Sequence, residues 1–275
     1  MVNVSVVIPA FNAALYLPEA IESILGQTFR DFEVIVIDDC STDTTWDVIQ
    51  EYANRDSRIC AYRNSVNLGI AGNRNKGVSL AIGKYLVWQD ADDISAPERI
   101  EKQFHYMESH PRVGIVGGFL EVFNDRRGVT GVRKYFEKDV DLRKRIFMYS
   151  PVAQPAAMIR KSCLVEAGEY DLRLPPAEDL DMSFRIGCKH EFANLQEIVL
   201  KYREHPGSAT FTQLRKAELS TLHIRKKNAK GHGGYRMSAA DKVYNALHRI
   251  SLYLVPPRLK IRIFNFVRNT RSIKR

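Results

Sequence analysis

One stretch of the sequence, Tyr85–Asp93, constrains the fold more than any other. Its four apolar residues, Tyr85–Trp88, are enough for a buried strand, and three carboxylates, Asp90, Asp92 and Asp93, follow within four positions. An unbroken apolar run is typical of a parallel strand whose two faces are both covered. Ligands of open α/β sheets bind beyond the carboxyl ends of the strands. The stretch therefore predicts a buried strand that carries an acidic cluster into a binding cleft.

The acidic cluster Asp90, Asp92 and Asp93 predicts a cation, because carboxylates so close together repel one another when nothing neutralises them. Oxygen ligands of this kind suit Mg²⁺ or Mn²⁺ held together with the phosphates of a substrate. The alternative is that the aspartates only cap the next helix. Ser95–Glu98 already has the Ser-x-x-Glu form of a capping box for a helix over about 97–107, so we favour a metal–diphosphate site.

Strand-like and helix-like segments alternate through the first 120 residues, as in a parallel, doubly wound sheet. The segments Val4–Pro9, Phe32–Ile37 and Arg58–Arg63 predict three further strands. The second of these also ends in acid, at Asp38 and Asp39. Because parallel strands end at the same edge of a sheet, we expect both acidic clusters to share one cleft.

Missing motifs argue against several classes of nucleotide-binding protein. No Gly-x-Gly-x-x-Gly follows a strand, which disfavours a dinucleotide dehydrogenase, and no P-loop sequence is present. The first strand ends in Pro9–Asn12 and not in the Gly-rich, Arg-containing loop expected of a sugar nucleotidyltransferase. The four cysteines lack the spacing of a zinc site and favour reduced thiols in a cytosolic protein.

The net charge of +9 is unevenly distributed along the chain. Residues 213–275 contain 16 Lys and Arg against 2 Asp and Glu, whereas residues 1–212 contain 25 against 30. An acidic body therefore carries a basic C-terminal extension. Such asymmetry is typical of a surface that meets anionic partners.

The basic extension is predicted to be helical. Its apolar residues recur at helical spacing at Val243, Leu247, Ile250 and Leu254. After Pro256 and Pro257, the stretch 259–268 is again apolar and basic. Basic amphipathic segments lie in the interface of anionic bilayers, and the alternative is a helix packed on the body with a solvated basic face. No run reaches the ~18 apolar residues of a membrane span and no nucleic-acid module is recognisable, so we expect peripheral membrane contact and no nucleic acid.

Five short blocks of the body together resemble the family 2 glycosyltransferases with the A-type fold, from Val4 to about Thr212. They occur in the family's order at Val6–Asn12, Val36–Asp43, Asn67–Gly77, Asp90–Asp93 and Glu178–Asp179. The resemblance implies a Rossmann-like α/β fold with a mixed, mainly parallel sheet flanked by helices. It also implies a nucleotide-sugar-binding half over 1–123 and an acceptor-binding half over 124–212.

The resemblance implies roles for individual residues of the donor site. Asp39 would accept a hydrogen bond from the imide N–H of uracil, and Arg74 would lie near the base and phosphates. The alternatives are that Asp38 and Asp39 cap the next helix and that Arg74 forms a surface ion pair. The nucleotide-sugar-binding residues implied in this way are Pro9, Phe11, Asn12, Asp38, Asp39, Asn67, Arg74, Lys76, Asp90, Ala91, Asp92 and Arg203.

A metal site and a catalytic base are also implied by the resemblance. Asp92 and Asp93 resemble the metal- and ribose-binding acids of the family, with Asp90 in the first position of its D-x-D motif. His205 resembles a histidine that some members bring to the metal or the diphosphate, and its alternative is a structural role. Asp179 resembles the base that takes the proton of the acceptor hydroxyl during inversion, the alternative being an acid that favours a helix N-terminus.

The implied protein is a cytoplasmic, inverting hexosyl- or N-acetylhexosaminyl-transferase that uses Mn²⁺ or Mg²⁺. It would move a sugar from a nucleotide sugar, most simply a UDP-sugar, to a glycan or lipid-linked acceptor in cell-surface polysaccharide synthesis. Its basic extension would make it peripheral on the inner face of the plasma membrane. The alternatives are a sugar nucleotidyltransferase and a non-catalytic, membrane-associated protein that binds nucleotide sugars.

Overall fold

The computed structural model describes residues 2–229, 232–256, 259, 260 and 263. Within these residues nine strands form one sheet: β1 (Val4–Ala10), β2 (Phe32–Asp38), β3 (Ile59–Arg63), β4 (Tyr85–Trp88), β5 (Ile94–Ser95), β6 (Val113–Asn124), β7 (Gly128–Arg133), β8 (Met158–Arg160) and β9 (Glu191–Arg203). The α-helices of the same residues are α1 (Leu17–Leu25), α2 (Thr45–Arg55), α3 (Gly69–Leu80), α4 (Arg99–Ser109), α5 (Asp139–Arg143), α6 (Lys161–Ala167), α7 (Glu178–Ile186), α8 (Ala209–Thr212), α9 (Leu214–Asn228) and α10 (Ala239–Leu254).

The sheet has the strand order β3-β2-β1-β4-β8-β6-β9-β5, and β7 pairs with β6. The pairs β2–β3, β1–β2 and β1–β4 are parallel, as the alternation of strands and helices predicts. Antiparallel pairs enter in the second half, where β8 lies between β4 and β6. The predicted mixed, mainly parallel sheet flanked by helices is confirmed.

Helices cover both faces of the first strands, which explains their mainly apolar sequences. Val6 and Ile8 of β1 belong to a buried cluster that includes residues of α1, α2 and α4. Val7, between them, belongs to a second cluster that includes residues of α3, α6 and α7. Successive side chains of a strand point to opposite faces, so apolar residues follow one another in a strand that is buried on both sides. Ser5 of β1 is also buried, and its hydroxyl donates to Glu33 of β2 at 2.6 Å.

Helix α3 lies very close to β1. A Cβ atom added to Gly77 would be 2.5 Å from Cγ1 of Val7, so only glycine fits at this point of the helix. The helix begins at Gly69, whose φ of 71° is in the left-handed region that favours glycine. These two glycines fix where α3 begins and how closely it approaches the sheet.

Strand β9 brings a distant part of the chain to the end of β4. It pairs with β6 in parallel and with the short strand β5 in antiparallel orientation, through Ile94–Lys201 and Ser95–Leu200. Because β5 follows directly after the acidic stretch Asp90–Asp93, the last residues of β9 lie beside that stretch. Arg203 and the loop after it therefore meet the predicted metal site.

Residues 124–150, at the start of the predicted acceptor-binding half, contain regular structure. Strand β7 pairs with the end of β6, and α5 follows it. The Asp139 carboxylate of α5 accepts from the backbone N–H of Phe192 at 2.9 Å, which fastens the segment to β9.

The basic extension contains the two helices α9 and α10, so its predicted helical character is confirmed. Asn245 of α10 donates to the carbonyl of Phe147 at 3.0 Å and thereby joins the helix to the body. No helix of the described residues is long and apolar enough to span a membrane. Most of the predicted apolar and basic stretch 259–268 lies outside the described residues.

Candidate active site

The predicted cleft lies where β1, β2 and β4 end. Ala10, the last residue of β1, is in register with Asp38, and the carbonyl of Ala10 accepts from the N–H of Asp39 at 2.8 Å. On its other side β1 pairs with β4, where Val7 is in register with Trp88. The acidic residues after β2 and after β4 therefore flank the same strand, as the sequence predicts.

The Asp39 carboxylate is held by donors of the protein itself. One oxygen accepts from the N–H of Leu68 and from the amide of Asn64, both at 2.8 Å. The other oxygen accepts from the N–H of Gly69 at 2.9 Å. A carboxylate offers about four acceptor positions, so one position remains for a ligand. Asp39 thus joins the start of α3 instead of capping α2, and its predicted contact with uracil stays a prediction.

Asp38 and Asn12 shape the cleft by accepting hydrogen bonds from the backbone of the loop after β2. Asp38 is buried, accepts from the N–H of Ser41 at 3.0 Å and forms a 3.0 Å ion pair with Arg63. The Asn12 side chain accepts from the N–H of Thr42 at 2.9 Å and so connects the loops after β1 and β2.

Three further members of the predicted donor site differ in their setting. Phe11 is 52% exposed, and Pro9 lies in β1. The amide of Asn67 donates to the carbonyl of Asp39 at 3.1 Å. The predicted donor contacts of these residues stay predictions, and Asp38 and Asn12 contact protein groups.

Asn64 is a residue of this region that the sequence reasoning missed. It is buried, and its amide donates to Asp39 and also to Asn73 at 2.7 Å. Its oxygen accepts from the ammonium group of Lys76 at 2.5 Å. Asn64 thereby places Lys76, one of the predicted donor-site residues, next to Asp39. A lone asparagine after a strand carries no signal that would have revealed this role.

Arg74 forms a buried ion pair, which excludes the surface ion pair considered as its alternative. Its guanidinium donates to Glu178 at 2.6 Å, and the two side chains are 9% and 2% exposed. The guanidinium carbon lies 5.5 Å from the ring centre of Trp88 and 5.8 Å from that of Tyr170. A carboxylate and two aromatic rings surround the guanidinium in place of water, and together they hold it in a single position.

Arg74 also connects the two predicted catalytic regions. Burial raises the pKa values of both Asp90, after β4, and Asp179, at the start of α7, and the charge of Arg74 opposes this rise at both. Asp90 and Asp179 are near enough for the charge of Asp179 to act on Asp90. The structure therefore brings the predicted base to the predicted metal site.

Asp179 has the properties of a general base near neutral pH. Burial and the charge of the neighbouring Glu178 raise its pKa to about 6, and Arg74 opposes both effects. One of its oxygens accepts from the N–H of Leu180 at 2.8 Å. A base is most effective when its pKa lies near the working pH. Asp181, two positions later, is instead ion-paired with Arg185 and Lys227 at 2.8 and 3.0 Å.

Asp90, Asp92 and Asp93 each offer one oxygen within 4.8 Å of the others. Burial raises the pKa of Asp90 to about 6, and burial together with the other two aspartates raises that of Asp93. One oxygen of Asp93 is buried without a hydrogen-bond partner. Crowded oxygen ligands with an unsatisfied buried atom fit a divalent cation such as Mg²⁺ or Mn²⁺.

The end of β9 holds this acidic loop in place. The backbone N–H of Arg203 donates to Asp93 at 2.9 Å, and its guanidinium donates to the carbonyl of Asp92 at 2.9 Å. The same guanidinium also contacts Glu19 and Asp125. Arg203, predicted to bind the nucleotide sugar, therefore has protein partners on every nitrogen.

His205, two residues beyond Arg203, contacts the acidic cluster directly. Its Nε2 lies 2.8 Å from an oxygen of Asp92, and its ring lies 4.8 Å from that of Tyr16. A histidine in this position can orient Asp92 or join it as a ligand of a metal ion. Its predicted part in the metal site stays a prediction.

The predicted capping box at Ser95–Glu98 is wrong. Helix α4 begins at Arg99 after an N-cap residue, Glu98, that makes no side-chain cap. The Ser95 hydroxyl donates to Gln89 at 2.7 Å and accepts from Arg99 at 2.9 Å. It is therefore part of a buried polar network.

Gln89 and Arg99 support the acidic loop from beneath, and no sequence pattern indicates this role. The Gln89 amide donates to the carbonyl of Asp93 at 2.7 Å. Arg99 donates to the carbonyl of Trp88 at 2.8 Å, and burial lowers its pKa to about 9. The positive charge of Arg99 lowers the pKa of Asp93, so a buried cation partly offsets the crowding of the aspartates.

Known proteins with similar sequences are glycosyltransferases. The family model described as glycosyl transferase family 2 matches residues 5–164. An uncharacterized glycosyltransferase of Methanocaldococcus jannaschii is 34% identical over 234 residues, which are 82% of this chain and 79% of that protein. The Escherichia coli protein WfaP, a UDP-Glc:alpha-D-GlcNAc-diphosphoundecaprenol beta-1,3-glucosyltransferase, is 40% identical over 106 residues, 38% of this chain and 41% of WfaP.

Solved glycosyltransferase structures share the fold. Residues 1–349 of S. aureus TarS in complex with UDP-GlcNAc superpose with a TM-score of 0.64 at 19% identity, over 90% of this chain and 79% of that one. The mannosyltransferase PcManGT of Pyrobaculum calidifontis, in complex with GDP-Man and Mn²⁺, gives a TM-score of 0.65 at 17% identity, over 92% and 70%. With a family model that matches more than half of its residues, the chain belongs to glycosyl transferase family 2 and is a glycosyltransferase.

Proposed function

We propose that the protein is an inverting, metal-dependent glycosyltransferase that transfers a hexosyl or N-acetylhexosaminyl group from a UDP-sugar. The observation that carries this proposal is the position of Asp179. It lies in one charge cluster with the buried Arg74 and with Asp90, although about 90 residues separate it from the latter in the chain. Family membership removes the support for a nucleotidyltransferase and for a non-catalytic binding protein.

A UDP-sugar donor is supported by Asp39 and by the relatives. Asp39 keeps one acceptor position, and a carboxylate can accept from the imide N–H of uracil, whereas N3 of cytosine offers no proton. WfaP is named for UDP-Glc, and TarS has been solved with UDP-GlcNAc. PcManGT was solved with GDP-Man, so the fold alone does not select the base.

Asp92, Asp93 and His205 would hold the divalent ion, which when bound would neutralise charge on the departing diphosphate. Asp90, whose pKa is raised by burial, completes the oxygen-rich cluster. Arg203 and Gln89 keep the loop in this shape through the backbone of Asp92 and Asp93. PcManGT, solved with Mn²⁺, supports the choice of ion.

Asp179 would take the proton from the acceptor hydroxyl while the bond from the anomeric carbon to the nucleoside diphosphate breaks on the opposite side. Its raised pKa makes the carboxylate a stronger base than an exposed aspartate. Glu178 and Arg74 hold the N-terminus of α7, so they position this carboxylate. The acceptor oxygen thereby attacks as the proton leaves, which gives the inverted product.

The acceptor is proposed to be a glycan or a lipid-linked glycan of a cell-surface polysaccharide, bound by residues 124–212. The name of WfaP includes a diphosphoundecaprenol acceptor, which supports this class. The excess of cations in residues 213–275 supports a peripheral position on an anionic membrane. We therefore place the protein in the cytoplasm, on the inner face of the plasma membrane.

Asp179→Asn tests the mechanism, because it keeps the size of the side chain and removes its basicity. Turnover of the preferred UDP-sugar, measured by UDP release with Mn²⁺ present, should fall by ~10² or more, with kcat affected far more than the donor KM. UDP affinity measured by calorimetry should stay within a few-fold of wild type. Near-normal turnover would remove Asp179 as the base.

Asp181→Asn is the matched control, since Asp181 lies on the same helix but is ion-paired with Arg185 and Lys227. It should change thermal stability more than turnover. The wild-type pH profile provides a second check. The base must be unprotonated, so kcat should fall as the pH drops through about 6 and should level off above it.

A further inference from the structure

Helix α10 has its apolar side turned away from the protein. Its exposed large aliphatic residues occur at helical spacing and are Val243 (60%), Leu247 (60%), Ile250 (52%) and Leu254 (75%), and Tyr253 of the same helix is also 75% exposed. A surface helix of a globular protein normally buries such a stripe against the core. The apolar stripe of α10 is instead exposed, although the helix itself contacts the body.

The opposite, polar side of α10 attaches the helix to the protein. Asn245 donates to the carbonyl of Phe147 at 3.0 Å, and Nε2 of His248 lies 3.2 Å from Glu218 of α9. Asp241 is 3% exposed and forms a reciprocal cap with Ser238 at the start of the helix. Directional polar contacts thus fix which face of α10 points outward.

The charges around the stripe are of one sign. The two acids of residues 213–275 are both engaged within the protein: Glu218 with His248 and with Lys260 at 2.9 Å, Asp241 in the cap. Lys242 and Arg249 are exposed and lie along one edge of the stripe at helical spacing. An apolar face bordered by cations is complementary to the interface of an anionic bilayer.

We propose that α10 is an inverted amphipathic helix that lies in the head-group region of an anionic membrane with Val243, Leu247, Ile250 and Leu254 toward the acyl chains. This proposal names the face of the protein that makes the membrane contact proposed above. It depends on that contact and not on the chemistry of sugar transfer. Because α10 is joined to Phe147, the proposed acceptor half is held beside the bilayer. An acceptor carried by a lipid then meets the enzyme at the surface in which it is embedded.

Flotation of the full chain with vesicles of phosphatidylglycerol and phosphatidylethanolamine in equal parts tests this assignment. Leu247→Ser combined with Ile250→Ser should lower the vesicle partition coefficient at least about tenfold, because two large side chains lose their burial. The matched control combines Ile82→Ser with Val165→Ser, which changes apolar residues that are 67% and 68% exposed elsewhere on the protein. It should partition like wild type.

A charge variant separates the two parts of the interaction. Lys242→Glu combined with Arg249→Glu should weaken binding to these vesicles at low salt and reduce its salt dependence. Vesicles of phosphatidylcholine alone should bind wild type weakly. UDP release from the donor without vesicles should be the same in every variant, so a failed membrane assignment is distinguishable from a failed transferase assignment.

Two results would overturn the proposal. Equal flotation of wild type and the Leu247→Ser, Ile250→Ser variant would mean that the extension binds by charge without this face. A wild type that does not float but sediments as a dimer, and that the same variant converts to a monomer, would make the stripe a contact between two copies of the chain.

Discussion

The ends of β2 and β4 both carry adjacent aspartates, yet the protein surrounds them in opposite ways. Asp39, after β2, accepts three hydrogen bonds from protein donors. Asp93, after β4, accepts one, and its second oxygen is buried without a partner. A carboxylate that accepts most of its hydrogen bonds from the protein holds the surrounding chain in place, whereas a carboxylate with an unbonded oxygen is suited to bind an added cation.

The comparison shows that one sequence pattern, an apolar strand followed by aspartates, can have two different structural roles. After β2 the backbone N–H groups of Leu68 and Gly69 supply the partners, because α3 begins against the carboxylate. After β4 the nearby cation, Arg99, is bound to neutral groups and reaches Asp93 only through its charge. The two sites therefore differ in the groups that surround the aspartates and not in the aspartates themselves.

The largest effect is expected at the end of β4. Asp92→Asn should lower kcat/KM for the UDP-sugar by ~10² or more, because it removes a proposed metal ligand and with it the charge stabilisation of the leaving group. UDP release titrated with Mn²⁺ should show that more metal is needed for half-maximal rate. Asp47→Asn, an exposed aspartate of α2, is the control and should match wild type. Full activity of Asp92→Asn in EDTA would contradict a metal site after β4 and with it the proposed difference between the two strand ends.

A smaller effect, on stability and base preference, is expected at the end of β2. In Asp39→Asn one oxygen of this buried side chain becomes an NH₂ group that faces the N–H of Gly69 or of Leu68, so a backbone donor at the start of α3 loses its charged acceptor. The free energy of unfolding, measured by urea denaturation, should fall by about 1–3 kcal/mol. Calorimetry should also show a reduced preference for UDP over CDP. Unchanged stability and preference would reduce Asp39 to an ordinary loop residue.

The smallest effect is expected for the stability of Asp93→Asn without metal. Asp93 uses one oxygen to accept from Arg203, which asparagine can also do, and its raised pKa means that ionisation costs the folded state free energy near neutral pH. The urea midpoint in EDTA should therefore change little or rise. If Asp93→Asn unfolds as easily as Asp39→Asn, the two carboxylates have the same structural role.

Much of the fold followed from local sequence. Apolar runs predicted β1, β2 and β4 because those strands are buried on both faces, and the acidic residues after β2 and β4 were expected at one edge of the sheet. The roles of Asp39 and Asp179 were implied only by the resemblance to a family. Asn64, Gln89 and Arg99 could not be found in this way. Their partners come from loops and helices distant in the chain, and a single buried polar residue has no pattern.

A local pattern does not specify its surroundings, as two elements show. Ser95 fits a capping box, but a buried guanidinium and the amide of Gln89 compete for its hydroxyl. The periodicity of α10 predicts a helix with an apolar stripe, and it does not tell which side faces the protein. Polar contacts such as that of Asn245 with Phe147 decide this.

Helix α3 connects the proposed base-binding residue to the proposed catalytic residue. Its first residue contacts Asp39, and Arg74, five residues later, holds Glu178 next to Asp179. Gly77 packs so closely on Val7 that a larger residue at this point would push the helix away from the sheet. If both proposed roles hold, one helix sets the distance from the nucleotide base to the reacting carbon of the donor. New donor preferences would then arise by exchanging side chains at its two ends, while the length of the donor that fits stays the same.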